Sequence, residues 1–471
     1  HLMKLFNHIK ETNENSIDFE SFVVVKKNEI HPDQHLGAHL LPMSFLKSKD
    51  IMRQKLVSYK QNLRENSFDN EYISFLEAKL EGLLDPFFDY RFPVIILPKT
   101  LDLDAVCKVF QTINTTGLKL SAFDICVAKF MANGLDLKYK IKEACINHPS
   151  LVPLLNSDET VVLQTIALLS DKSPKKNKLA DNLTADNINL WNKAIEGLDE
   201  TVELLSKIGV GCDKDLSLLP YHPSIPVIAA VLVDRDYSNL HLTSQSQISE
   251  KIKKWFYSVS LNLRYTEGTD NKMKEDFQAL RLWIINSSEP DYIKNPIRWN
   301  PELIIKSNKS GAVGKAILCA LNLSQPRDLY TERQVGVGRF IVDSQLHHIF
   351  PKAKYPEHNT FLNSVFNFTF LSPESNNFIK DKNTSYYAKE IMSIRNISKA
   401  NFRDILRHHL IDEVTYTSLM TEEFLSFLKN RADTVRKYLV EVVGLNIKVD
   451  SADTEGEEDL DLDDVYNLAS E

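Results

Sequence analysis

Between residues 124 and 323 the apolar side chains recur at intervals of three and four, segment after segment. The stretches 161–169, 186–208, 223–233, 248–261, 273–285 and 313–323 each predict a helix. A chain with such a centre is mainly α, and its strand signals lie on either side. Residues 46–84 predict two further helices, and the spacing of Leu2, Leu5 and Ile9 predicts a helical opening ahead of the patch Phe22-Val-Val-Val25. A β-branched run at 91–98, closed by proline, predicts a strand. A helix over 102–114 then turns through Asn114-Thr-Thr-Gly117, and Ser121 followed by Asp124 has the form of a capping box that starts the next helix. A well-capped corner is the common meaning of such a pattern, ahead of a ligand site.

After residue 323 the texture changes. Residues 325–412 hold short β-type runs at 340–342 and 366–371, five histidines, and 12 basic against 9 acidic residues. They predict a small, mildly positive α+β domain, closed by one amphipathic helix over 419–439. Residues 450–471 then carry ten acidic groups and no basic one, so disorder is expected there. This tail accounts for the net charge of −8: the rest of the chain holds 56 basic against 54 acidic residues, which leaves a nucleic-acid partner open. The tail reads first as a solvated appendage, and second as a DNA mimic lying over a basic face.

Other classes are excluded. No apolar run approaches the roughly 20 residues of a membrane span, and the first residues have no secretory-signal pattern. Five scattered cysteines, none in C-x-x-C spacing, encode neither a disulfide framework nor a zinc cluster. A cytoplasmic location is expected. The lysine-rich loop at 171–178 reads as a solvated loop before a phosphate contact.

The chemistry gathers at Leu346-His-His-Ile-Phe-Pro351. Hydrolysis of a phosphodiester with a metal needs a base for water and a cation to stabilise the developing charge. Adjacent residues of a strand point to opposite faces, so His347 and His348 can flank one site only at a strand end or bulge. His348 is assigned to water and His347 to the metal. The second metal ligand is Asn376, or else Asn377, at the start of a helix near Ser375. One imidazole and one amide hold Mg²⁺ weakly, so the scissile phosphate and waters must complete the shell. Asn367 opens the second β-run, while Lys352, Lys380 and Lys382 stand nearby as phosphate contacts. A pair of core histidines with asparagines in turns is the bland alternative; the whole ensemble outweighs it.

That ensemble resembles the HNH (His-Me finger, ββα-metal) nuclease domain at the C-terminus of GmrSD-type, modification-dependent restriction proteins. Residues 90–130, with Phe110-Gln-Thr-Ile-Asn-Thr-Thr-Gly-Leu-Lys-Leu-Ser121, resemble the later part of that family's N-terminal domain. The resemblance implies His348 as general base, His347 as metal ligand where many relatives have Asp or Glu, and Asn376 as helix ligand. It implies that Asn367 holds the loop between hairpin and helix, and that Asn114, Thr115 and Gly117 belong to the sensor-domain motif. Histidine in place of a carboxylate favours later transition metals such as Mn²⁺ or Ni²⁺. The family's Asp-Gly-Gln-Gln-Arg motif is absent from this chain, which argues against nucleotide binding by it and leads us to expect a truncated sensor domain.

The expected organisation is therefore a sensor/NTPase-like remnant at 1–134, a helical domain at 135–324, an HNH domain with its closing helix at 325–445, and an acidic tail at 446–471. The expected function is Mg²⁺- or Mn²⁺-dependent cleavage or nicking of DNA in anti-phage defence. Expected partners are DNA, modified phage DNA in the first place, and a second copy of the chain as a homo-oligomer; no membrane partner is expected. A catalytically silent interaction module with an HNH fold and an RNA-directed nuclease are the competing readings.

Overall fold

The computed structural model describes residues 48–74 except 66, and 121–450 except 212–215, 235–244, 287 and 339–343, together with three N-terminal strands and a few isolated positions between 75 and 120. The turn Asn114-Thr115-Thr116-Gly117, the expected strands at 91–98 and 340–342 and the acidic stretch 451–471 lie outside the described residues. Two compact units divide the chain, residues 1–100 and residues 101–471.

In the first unit, strands β1 (Leu2–Leu5), β2 (Phe22–Val25) and β3 (Leu40–Pro42) form an antiparallel sheet in the order β2-β1-β3. Leu2 pairs with Val25 on one side and Pro42 on the other. The expected helical opening is thus a strand. A pattern this short does not fix a helical period, and the run at 22–25 pairs with residues 2–5. Helix α1 (Lys49–Glu65) buries Met52, Leu56, Tyr59 and Leu63, the stripe that a helical period places on one side.

The second unit is mainly helical. Counting helices of seven residues or more, its first part runs α2 (Ala122–Met131), α3 (Leu137–Asn147), α4 (Thr160–Leu169), α5 (Trp191–Lys207), α6 (Ser224–Leu232), α7 (Gln245–Leu261) and α8 (Thr269–Asn286). Ser121 caps α2 as expected: its hydroxyl accepts from the Asp124 amide while the Asp124 carboxylate accepts from the Ser121 amide. Helix α6 is apolar on every side and buried throughout 224–231, so it forms the axis against which α4, α5 and α8 pack. At the α5–α6 crossing a Cβ on Gly197 would stand 2.4 Å from the Ala229 carbonyl oxygen; only glycine permits that approach.

Strand β4 (Ile297–Trp299) and helix α9 (Ala312–Leu323) lead into the C-terminal part. There β5 (Gln345–His348) pairs antiparallel with β6 (Phe368–Leu371), and α10 (Pro373–Ile379) follows directly. Helices α11 (Thr384–Ile394), α12 (Lys399–Arg407), α13 (Glu413–Thr421) and α14 (Phe424–Tyr438) pack behind this pair. The single closing helix expected over 419–439 is two helices. Glu422 adopts a left-handed conformation (φ 62°), and its carboxylate accepts from Asn383 and Ser385 at the start of α11. Strand β7 (Ile447–Val449) pairs parallel with β4, so the first residues expected in the tail belong to the folded unit. One hydrophobic core runs from Phe123 to Leu445. Among the described residues no helix is long and apolar enough to cross a membrane.

Candidate active site

The two histidines stand on opposite faces of β5. His347 lies across from Thr369, and His348 lies across from Phe368 at the strand end. Each face carries its own set of groups.

On the first face, Asn376 of α10 interacts with the His347 imidazole and donates from Nδ2 to Gln345 Oε1 at 2.7 Å. Residues 345 and 347 share a strand face, so one helical side chain touches both. Burial pushes the His347 pKa down to about 4, outweighing the opposite effect of Asn376. The ring is therefore neutral near pH 7 with a lone pair free, and its Nε2 is buried without a hydrogen-bond partner. His347 also lines a small void of about 10 Å³ together with Thr369, Tyr387 and His409, too small for a hydrated cation.

On the second face, the His348 ring lies 4.2 Å from the Phe368 ring, and the Lys309 ammonium lies 4.7 Å from the same Phe368 centroid. Asn363 interacts with the His348 imidazole, yet Nε2 has no hydrogen-bond partner. Burial first, and then the charges of Lys309 and Lys352, hold the His348 pKa below its ordinary value against the pull of Asn363. His348 is thus a neutral imidazole, the protonation state that a general base needs.

Buried polar contacts hold this geometry. Asn367 is fully buried; its Oδ1 accepts from the Phe350 amide, and its Nδ2 donates to the carbonyls of Phe350 and Leu362. It ties both ends of the loop 350–362 to the start of β6. The buried Arg431 of α14 donates to the carbonyls of Phe366, Phe368 and His409. Helix α10 is fixed by Asp328, which accepts from the Ser372 amide at 2.7 Å and the Ser375 hydroxyl at 2.6 Å. Burial raises the Asp328 pKa, but hydrogen bonds from Ser375, Ser372 and Thr331 outweigh it and hold the carboxyl below its usual range.

The remaining expected residues are less central. Asn377 is exposed one position beyond Asn376. Lys352 is exposed and near enough to depress the His348 pKa. Lys380 is exposed at the C-cap of α10, with φ 47°. Lys382 pairs with Glu390 at 2.6 Å and lies over the Phe378 ring, so its charge is already engaged. Sequence reasoning missed Gln345, Asn363, Asp328 and Arg431. Only Asp328 has a local signal, an Asp whose carboxylate accepts from the Thr331 amide and hydroxyl three residues on.

Among the described residues no group of three or more His, Cys, Asp or Glu side chains could hold a metal ion. Of the expected ligands, the structure brings together the His347 imidazole and the Asn376 amide.

No family model matches the chain. It is 26% identical over 375 residues to an uncharacterized protein of the archaeon Methanocaldococcus jannaschii, an alignment covering 75% of this chain and 61% of the relative. The chain thus spans less than two thirds of that relative's length.

Proposed function

We propose that the second unit is an HNH-type nuclease that hydrolyses DNA phosphodiester bonds with a divalent metal, Mg²⁺ or Mn²⁺, as part of modification-dependent restriction. One observation carries this reading. An antiparallel strand pair followed at once by a helix brings a neutral His347 to Asn376, and holds a second neutral histidine, His348, beside two lysines. The unpartnered Nε2 of His347 suits a cation shared with the substrate phosphate. When bound there, the metal supplies charge neutralisation at the phosphoryl oxygens. His348 accepts the proton of the attacking water as the new P–O bond forms and the bond to the leaving oxygen breaks. Burial, aided by Lys309 and Lys352, keeps His348 unprotonated beforehand, and the two lysines draw the polyanion to that face. Asn367 and Arg431 act at a distance by fixing the loop and strand that carry the base.

A second reading, an HNH-like module that binds without cutting, is favoured by the small size of the void beside His347 and by the absence, among the described residues, of a group of three His, Cys, Asp or Glu side chains. Nicking of supercoiled plasmid in Mg²⁺ or Mn²⁺ separates the two. Cleavage by the wild type that disappears in His348→Ala supports the nuclease. Binding with no metal-dependent cleavage, or cleavage that survives His348→Ala undiminished, refutes it.

A further inference from the structure

A second polar cavity, of about 360 Å³, opens at the N-terminus of α9. Its lining runs from Ser307 and Asn308 through Gly311–Gly314 to Lys315, with Tyr221 and Thr266 on the opposite wall, and includes no carboxylate. The first turn of any helix leaves N–H groups without intrahelical partners. In α9 the N-cap is Gly311, which offers no side chain to satisfy them, and Asn308 Oδ1 is spent on the amides of Ser310 and Gly311 just outside the helix. The turn that points N–H groups at the cavity is itself buried.

An independent feature points the same way. Ser307 is 2% exposed and lines the cavity, yet its Oγ has no hydrogen-bond partner. Leaving a buried hydroxyl unpaired is destabilising, and a bound acceptor would remove that cost. Gly314 shapes the site: a Cβ there would stand 1.8 Å from the Asn308 carbonyl oxygen, so the 308–311 loop folds over the first turn only because residue 314 is glycine. Lys315, whose ammonium also donates to the Leu219 carbonyl at 3.3 Å, supplies the charge. The pattern Gly311-x-x-Gly314-Lys315 shares the P-loop's logic but not its sequence, since Lys309 stands where the first P-loop glycine belongs and Ala316 where Ser or Thr does.

We propose that this cavity is a phosphate-group site. Uncapped amides, an orphaned donor hydroxyl and a lysine are the chemistry that recognises a tetrahedral oxyanion. The site is tied to the histidine strands. The Ser307 carbonyl accepts from the Val365 amide at 2.7 Å, Asn308 bridges Ser364, and Lys309 reaches the Phe368 ring that lies against His348. Resting on the nuclease reading, the phosphate is one that flanks the scissile group on the same backbone; a free phosphate or nucleotide presents the same chemistry.

Calorimetric titration of the full chain with inorganic phosphate in EDTA tests the site without reference to cleavage. Phosphate should bind, Lys315→Gln should weaken it roughly tenfold or more, and Lys315→Arg should restore most of the loss. Ser307→Ala should weaken it several-fold with an unchanged or raised Tm, because the hydroxyl has no partner to lose; a merely structural serine would lower the Tm. His348→Ala should bind phosphate as the wild type does, so failure of the nuclease and failure of this site are read separately. A fluorescein-labelled duplex that phosphate displaces from the wild type but not from Lys315→Gln assigns the site to a phosphodiester. Phosphate binding that the duplex leaves unchanged assigns it to a free phosphate or nucleotide. No phosphate binding at millimolar concentration, or equal binding by wild type, Ser307→Ala and Lys315→Gln, overturns the proposal.

Discussion

The two faces of the β5–β6 pair use the same residue type for different ends. On one face His347 meets Asn376 and Thr369, and behind them His409 and Arg431 are packed away from solvent. On the other, His348 stands at the strand end among Phe368, Asn363 and two lysines. Burial is the first cause of both neutral rings; on His348 the charges of Lys309 and Lys352 add to it. A strand of four residues is enough to give neighbouring histidines separate surroundings, because its pleat sends successive side chains to opposite sides.

The comparison breaks most visibly in kinetics. His348→Ala should lower the rate of plasmid nicking by about 10²- to 10⁴-fold, the usual contribution of a general base. His347→Ala should instead raise the Mn²⁺ concentration needed for half-maximal nicking, and a metal titration of initial rates tells the two apart.

Next in size is the support of the sealed face. Arg431→Met leaves the carbonyls of Phe366, Phe368 and His409 without their donor. It should cost about 1–3 kcal/mol for each carbonyl left unpaired, measured as a shift of the urea midpoint.

His409 sharpens the contrast through pH. Its Nε2–H donates to the Arg327 carbonyl at 2.6 Å, so Nδ1 accepts from the Thr369 hydroxyl at 2.5 Å and the ring is neutral. Burial holds its pKa down to about 4, against 6.5 for an ordinary histidine. The unfolded chain takes up the proton first, so this stability is complete above pH 6.5 and is lost as pH falls toward 4. The loss is about 3 kcal/mol by linkage. Urea midpoints across that window should show the decline, to which His347 and His348 contribute in the same direction, and His409→Gln should make it shallower.

Smaller still, Thr369→Val leaves His409 Nδ1 unpaired and should cost roughly 1–2 kcal/mol in the same assay. Least of all, Lys382→Ala should change duplex affinity by less than about twofold, because an existing ion pair already holds that charge. Lys352→Ala on the open face should weaken binding more, and fluorescence anisotropy at two salt concentrations compares them.

Local features were legible in the sequence. The Ser121–Asp124 capping box spans three residues, and the helices of the middle region are sustained periodic patterns that few alternatives satisfy. The histidine strand, the asparagine at the head of its partner and the helix behind them could be placed from their order and spacing. What could not be read was non-local. Asp328 reaches Ser372 and Ser375 across 44 and 47 residues, and no pattern near residue 328 names those partners. The break at Glu422 was hidden because apolar positions continue on both sides of it, from Leu419 to Phe424 and Phe427. Its cause is a pair of hydrogen bonds to α11. The opening strand failed for the opposite reason, since too few residues were available to distinguish two periods.

Arg431 reaches back 65 and 63 residues to grip the carbonyls on either side of Asn367. During synthesis that grip is late to arrive. The strand bearing Asn367 leaves the ribosome well before the arginine that secures it, and the histidines sit on a still earlier segment. The hairpin is completed only once nearly the whole second unit has emerged, so a nascent chain carries both histidines long before it carries a site.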